Sequence, residues 1–165
     1  MVAWRAVVDA APEFADRVQR LFDAHKHKTL ATLRTDGSPR ISGIEAQFVD
    51  GELWFGSMPG AVKALDLLRD PRFALHGPSV DADDSNPSAW PGDAKLAGRA
   101  VEVTDPAEFD AAYRAMGGDP AQYPGSHLFK ADIHEVVVTR VGDPPDHLLI
   151  ELWRPDAGLR RIERK

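Results

Sequence analysis

The chain has no cysteine among its 165 residues. That excludes disulfides, thiolate catalysis, iron–sulfur clusters and cysteine-ligated zinc, and it suits a reducing compartment. Nowhere does an apolar run approach the ~20 residues needed to cross a bilayer. The opening stretch, MVAWRAVVDAAPEF, lacks a charged start followed by a sustained apolar core, so the expectation is a cytoplasmic protein with no membrane partner. The six histidines form neither an HExxH pattern nor a His/carboxylate cluster, so no metal site is expected. GxGxxG, a Walker loop and a GxSxG elbow are also missing, which removes dinucleotide-type, P-loop and serine-hydrolase readings. The net charge of −6 gives no bulk attraction to nucleic acid.

What remains is an ordinary globular composition, 43% hydrophobic and 28% charged, in a length that suits one core and one domain over 1–165. Residues 12–26 carry Phe14, Val18, Leu21 and Phe22 at helical spacing, a stripe suited to covering one opening of a barrel or sheet. From Thr29 the period changes. Thr29–Arg34 is rich in strand formers, Asp36-Gly37 is a hairpin turn, Ile41–Phe48 returns, Asp50-Gly51 turns again, and Leu53–Gly56 is a third strand. Gly43, inside the second strand, predicts a bulge or a close backbone approach. Met58-Pro59-Gly60 then opens a short helix, with Val62, Leu65 and Leu68 as its apolar face and Asp70-Pro71 as its stop. Arg72–His76 reads as the fourth strand.

Residues 77–93 are acidic and proline-rich, a loop whose length fits either a lid or an inert surface crossing. Lys95–Val103 is a fifth strand. Thr104 or Asp105 caps a helix that ends at Gly117-Gly118. Ile133–Val141 and His147–Trp153 pair across a turn, and the tail is basic. The sum is a mainly β protein with helices (α+β), of six or seven strands and three helices.

Lys63 is the foremost site candidate. In the first turn of a helix it adds a mobile positive charge where free N–H groups already favour an anion; the competing reading is a solvated surface lysine. Ser57 is either a phosphate or ring-carbonyl donor or a helix cap. Gln47 either bonds a heterocycle or faces water at an edge. Trp153, Arg160 and Arg164 combine a stacking plane with forked donors, against the alternative of a frayed basic terminus.

The blocks TLATLRTDGSPRISGIEAQF and ELWFGSMPGAVKALDLLRDPRFAL resemble the pyridoxamine-phosphate-oxidase-like family of flavin-binding split β-barrels, over about Thr29 to Lys165. The resemblance implies a split β-barrel of the FMN-binding type and a homodimer with the cofactor in a cleft between subunits. The cofactor it implies is FMN or, as in some related subfamilies, the deazaflavin coenzyme F-420. Lys63 matches the family's phosphate-binding lysine, but Val62 stands where the family often has arginine. Gln47 falls near a position where the oxidases use lysine, which points away from a true pyridoxamine-phosphate oxidase. Phe55, Gly56 and Ser57 match the stretch along the cofactor. Trp153, Arg160 and Arg164 resemble the C-terminal segment, with Arg160 toward substrate and Arg164 toward cofactor. The implied activity is hydride transfer to or from a small conjugated substrate; the alternative is a non-catalytic flavin-, haem- or tetrapyrrole-binding protein.

Overall fold

The computed structural model describes residues 1–165. Eight antiparallel strands run in the order β3-β2-β1-β4-β5-β6-β7-β8. They are β1 His27–Leu33, β2 Pro39–Val49, β3 Glu52–Ser57, β4 Arg72–His76, β5 Asp93–Glu102, β6 His127–Val141, β7 Leu148–Arg154 and β8 Gly158–Arg164. β3 also pairs with β6, through Trp54–Lys130 to Ser57–His127. That pairing closes β1–β6 into a six-stranded barrel and leaves β7–β8 as a hairpin on the far half of β6. The fold is a split β-barrel of the α+β class.

The barrel interior follows from strand alternation. Leu30, Ile44, Ala46, Leu53, Phe55, Phe73, Leu75, Leu96, Phe129, Ala131 and Ile133 all point inward and are buried. Phe55 packs against Phe73 and Phe129, with ring centroids 5.2 and 5.8 Å away. Opposite Ala97/Gly98 of β5, the ladder has a β-bulge whose extra residue is His134 of β6. A Cβ on Gly98 would lie 2.1 Å from the Asp132 carbonyl oxygen, so this glycine permits the close approach that the bulge requires.

Helices close the ends. α1 (Trp4–Ala10) and α2 (Pro12–Asp23) send Trp4, Phe14, Val18 and Phe22 into the same core. Trp4 and Phe22 both meet Phe48, at 4.4 and 5.6 Å between centroids. α3 (Val62–Arg69) packs against β1 and buries Ala64, Asp66 and Leu67. α4 (Pro106–Ala115) lies over the outer face of β3 and β6, where Trp54, Val103, Ala112 and Leu128 form a second small cluster. The Asp105 carboxylate caps α4 by accepting from the Ala107 N–H.

Several expectations are corrected. α1 has no counterpart in the sequence reading. α3 starts at Val62, with Pro59 before it. Its face of Val62, Leu65 and Leu68 is 54, 48 and 45% exposed. Gly43 makes no bulge. The basic tail is ordered as β8, and the count is eight strands and four α-helices.

Candidate functional site

Directly paired residues of an antiparallel ladder share a face of the sheet. The register therefore places Gly43, Thr29, His76 and Lys95 in one row on the outside of the barrel. The next row is Ile41, Ala31, Ala74 and Ala97. Gly43, Thr29, Ala31, Ala74 and Ala97 are the short side chains of this patch, an outer trough interrupted by Ile41, His76 and Lys95.

β2 and β3 separate at one end of this surface. Their pairing stops at Ala46–Phe55, while β2 continues along β1 alone and β3 along β6 alone. α3 sits beside the split. Its N-terminus has Ala61 in the cap position and no side-chain cap bond, so its first N–H groups are left without a side-chain partner. Lys63, in the first turn, donates from Nζ to the Gly43 carbonyl at 2.6 Å. A lysine, an uncapped helix end and a trough of small residues thus meet at one point.

α3 is seated by a buried carboxylate. Asp66, 2% exposed, accepts from Thr32 Oγ1 at 2.9 Å, Arg40 Nε at 2.6 Å and Arg69 at 3.0 Å. Burial alone raises its pKa, but the hydrogen bonds from Arg40, Arg69 and Thr32 outweigh it and hold the carboxyl below its ordinary value. Arg69 also donates to the Leu33 carbonyl. Arg40 and Arg69 are thereby committed to the fold, leaving Lys63 as the cation that faces the trough from this side.

At the trough's other edge, His76 Nδ1 is 2.6 Å from the Gly77 carbonyl oxygen. A carbonyl only accepts, so Nδ1 carries the proton and Nε2 is the basic nitrogen of the neutral ring. Nε2 faces Asp93 Oδ2 at 3.7 Å, and Lys95 Nζ is 3.4 Å from Asp93 Oδ1. His76, Asp93 and Lys95 were not singled out in the sequence. Only the register brings them onto the same surface as Gly43.

The other expected residues do not converge with Lys63 in the single chain. Phe55 is 1% exposed, its ring inside the barrel. Ser57 follows it on the same inward row, with its Oγ buried and unpartnered. Opposite Ser57 is His127, whose Nδ1 lies 3.0 Å from Glu102 Oε1. Gly56 faces outward beneath α4, where a Cβ would come 3.1 Å from the Tyr113 hydroxyl. Gln47 lies at the opposite end of β2, lining a cavity with Lys28.

The C-terminal trio is split. Trp153 is 2% exposed and belongs to the core, on the face of β7 that also buries Glu151. Glu151 accepts from Arg17 of α2 and Arg161 of β8. Arg160 and Arg164 pair with Leu152 and Leu148 and lie on the reverse face. Trp153 therefore offers no stacking plane beside these arginines.

A closed six-stranded barrel with a helix terminus beside its outer wall and a hairpin on the far half of β6 defines a split β-barrel. Residues 14–140 match the family described as pyridoxamine 5'-phosphate oxidase, and the chain belongs to that family. Among solved structures it is similar to a pyridoxamine 5'-phosphate oxidase-related, FMN-binding protein from Nostoc punctiforme. Identity there is 15% and the TM-score 0.65, over 94% of this chain and 96% of that one. It is also similar to PhzG from Burkholderia lata, solved in complex with tetrahydrophenazine-1-carboxylic acid. In that case identity is 13% and the TM-score 0.61, over 94% and 87% of the two chains. A conserved hypothetical protein of Mycobacterium tuberculosis aligns at 20% identity and TM-score 0.58, over 76% and 81%. At these identities the likeness is one of fold. No curated protein matches the chain in sequence.

Proposed function

We propose that the chain is a cofactor-dependent oxidoreductase that holds FMN or the deazaflavin coenzyme F-420 on the outer trough. The observation that carries this is the meeting of Lys63 with the uncapped α3 N-terminus at the edge of a surface built from Gly43, Thr29, Ala31 and Ala74. Both cofactors present a phosphate and a flat tricyclic ring. The phosphate suits Lys63 and the free N–H groups; the ring suits the low side chains. When bound, the cofactor supplies a hydride carrier, and the protein supplies orientation, charge and exclusion of water.

In this reading Lys63 holds the phosphate, and His76, with its tautomer fixed by Gly77, takes or gives a proton through Nε2 at the far edge. The substrate is small and conjugated, in keeping with the flat platform.

A second copy of the chain completes the proposal. Ile41, Val62, Leu65 and Leu68 are 74, 54, 48 and 45% exposed. They flank Gly43 and Lys63 in sequence and are large apolar side chains of the kind that mark subunit contacts. Arg160 lies on the same row as Gly43 by way of Thr29, His76, Lys95, Val137 and Leu152. Six strand pairings separate the two round the barrel wall and out along the β7–β8 hairpin. Arg160 and Arg164 would then serve the trough of a partner subunit in a homodimer.

Val62, apolar where the resemblance implies arginine, leaves Lys63 as the first-turn cation and favours a second reading, a flavin, haem or tetrapyrrole carrier without turnover. Titration with FMN, F-420 and haem, followed by absorbance and fluorescence, tests both. Tight binding of a flavin-type cofactor with steady turnover of a reductant supports the oxidoreductase. Binding without turnover supports the carrier, and no binding of any of the three removes both. Lys63→Ala should weaken flavin-type binding at least about tenfold, or ~1.4 kcal/mol; unchanged affinity removes Lys63 from the site.

A further inference from the structure

One row along β2 from Gly43, where Glu45 pairs with His27, a cavity of about 370 Å³ opens between the end of α2 and the first two strands. It is lined by Asp23, His25, Lys26, Lys28, Glu45 and Gln47. That volume lies within the range of small-molecule sites. Five of these residues are exposed; Lys28 is only 6% exposed. Lys28 sits on the inward row of β1, opposite Ile44.

The surroundings of Lys28 Nζ are unusual for an ammonium. It donates to the carbonyls of His25 at 2.9 Å and Lys26 at 3.0 Å. No carboxylate lies within ion-pair distance, because Glu45 is taken by Lys26 at 3.0 Å and approached by His27 at 3.7 Å. A buried cation without a counter-ion is costly, and the neutral amine relieves that cost. Burial lowers the Lys28 pKa, against the opposing pull of Asp23 and Glu45. A neutral amine has two N–H bonds and one lone pair. The two carbonyls account for both N–H bonds, which leaves the lone pair without a protein partner.

We propose that Lys28 is a carbonyl-reactive amine and that the cavity it lines binds small aldehydes or ketones. The lone pair of Nζ attacks the carbonyl carbon and a proton passes to the oxygen. The resulting carbinolamine loses water as the C=N bond forms, so amine and aldehyde become imine and water with no change of oxidation state. Tying down the turn between α2 and β1 accounts for the two carbonyl bonds; it does not account for a cavity beside a buried lysine with no ion pair.

The test is reductive trapping on the full chain at neutral pH. Glyoxylate and propanal, an anionic and a neutral aldehyde, are each added with cyanoborohydride, and the six lysines of the sequence are followed by peptide mapping. Lys28 should be modified at least about tenfold faster than Lys26, Lys63, Lys95, Lys130 and Lys165 with one or both aldehydes. Lys28→Arg, which keeps donors for the two carbonyls, should abolish the fast modification and leave the other five rates unchanged. Modification of Lys28 at or below the rate of the exposed lysines with both aldehydes overturns the proposal.

Discussion

Asp66 fastens α3, and with it Lys63, to the barrel. Its three donors come from β1, β2 and α3 itself, so removing it leaves two guanidinium groups facing a vacated site. Asp66→Ala should cost about 3–5 kcal/mol in urea unfolding. The pH dependence has a definite sign. The folded pKa lies below the unfolded one, so the stabilisation is complete above the ordinary carboxylate range and is lost as pH falls through the folded value. In wild type, stability should drop below about pH 4, and Asp66→Asn should flatten that part of the profile. A profile unchanged by Asp66→Asn refutes the assignment. At this scale the sequence was legible where chemistry is local. Lys63 follows a turn and opens a helix, and both facts are visible in the letters. His76 and Asp93 were not legible, because their meaning depends on which strands pair. Trp153 was misleading: tryptophan serves cores and binding faces alike, and only burial separates the two.

Among the elements, α3 departs most from its sequence reading. Spacing of Val62, Leu65 and Leu68 identifies one side of a helix but not the direction in which it points. Ala64, Asp66 and Leu67 face the barrel instead, because a small residue and an anchored carboxylate let the helix lie close to β1. The apolar side is left outward. If the proposed homodimer forms through this side, Leu65→Glu should leave the melting temperature of the isolated fold nearly unchanged while converting the dimer to a monomer in sedimentation. A dimer that persists would place the subunit contact elsewhere. β6 shows the opposite failure. It runs from His127, but His127, Lys130 and Asp132 interrupt its apolar pattern and hide its first half. That half pairs with β3 and closes the barrel, so the closure was legible only through the family resemblance.

Over the whole molecule, the hairpin β7–β8 separates two chemistries by face. Trp153 and Glu151 turn inward toward α2, while Arg160 and Arg164 turn outward. If each trough takes its lysine from one subunit and Arg164 from the other, Lys63→Ala and Arg164→Ala homodimers are defective at both sites. Unfolding and refolding the two variants together should then restore wild-type flavin affinity at about a quarter of sites, because half of randomly paired dimers are mixed and each mixed dimer has one intact site. No recovery means that both residues act within one subunit, or that one does not act at all.

The split between β2 and β3 has a further consequence. The Gly43 carbonyl lies where β2 has lost β3 as a neighbour, and Lys63 Nζ occupies that acceptor. An anion that draws Lys63 away takes a donor from a strand edge. Ligation and local order are then coupled with opposite sign. The edge around Ile41–Glu45 should exchange its amide hydrogens faster in Lys63→Met than in wild type, and an arriving phosphate must first compete with a peptide carbonyl for the same ammonium. If Lys63 holds the phosphate as proposed, the free chain keeps that cation in internal use, and part of the affinity is consumed in releasing it.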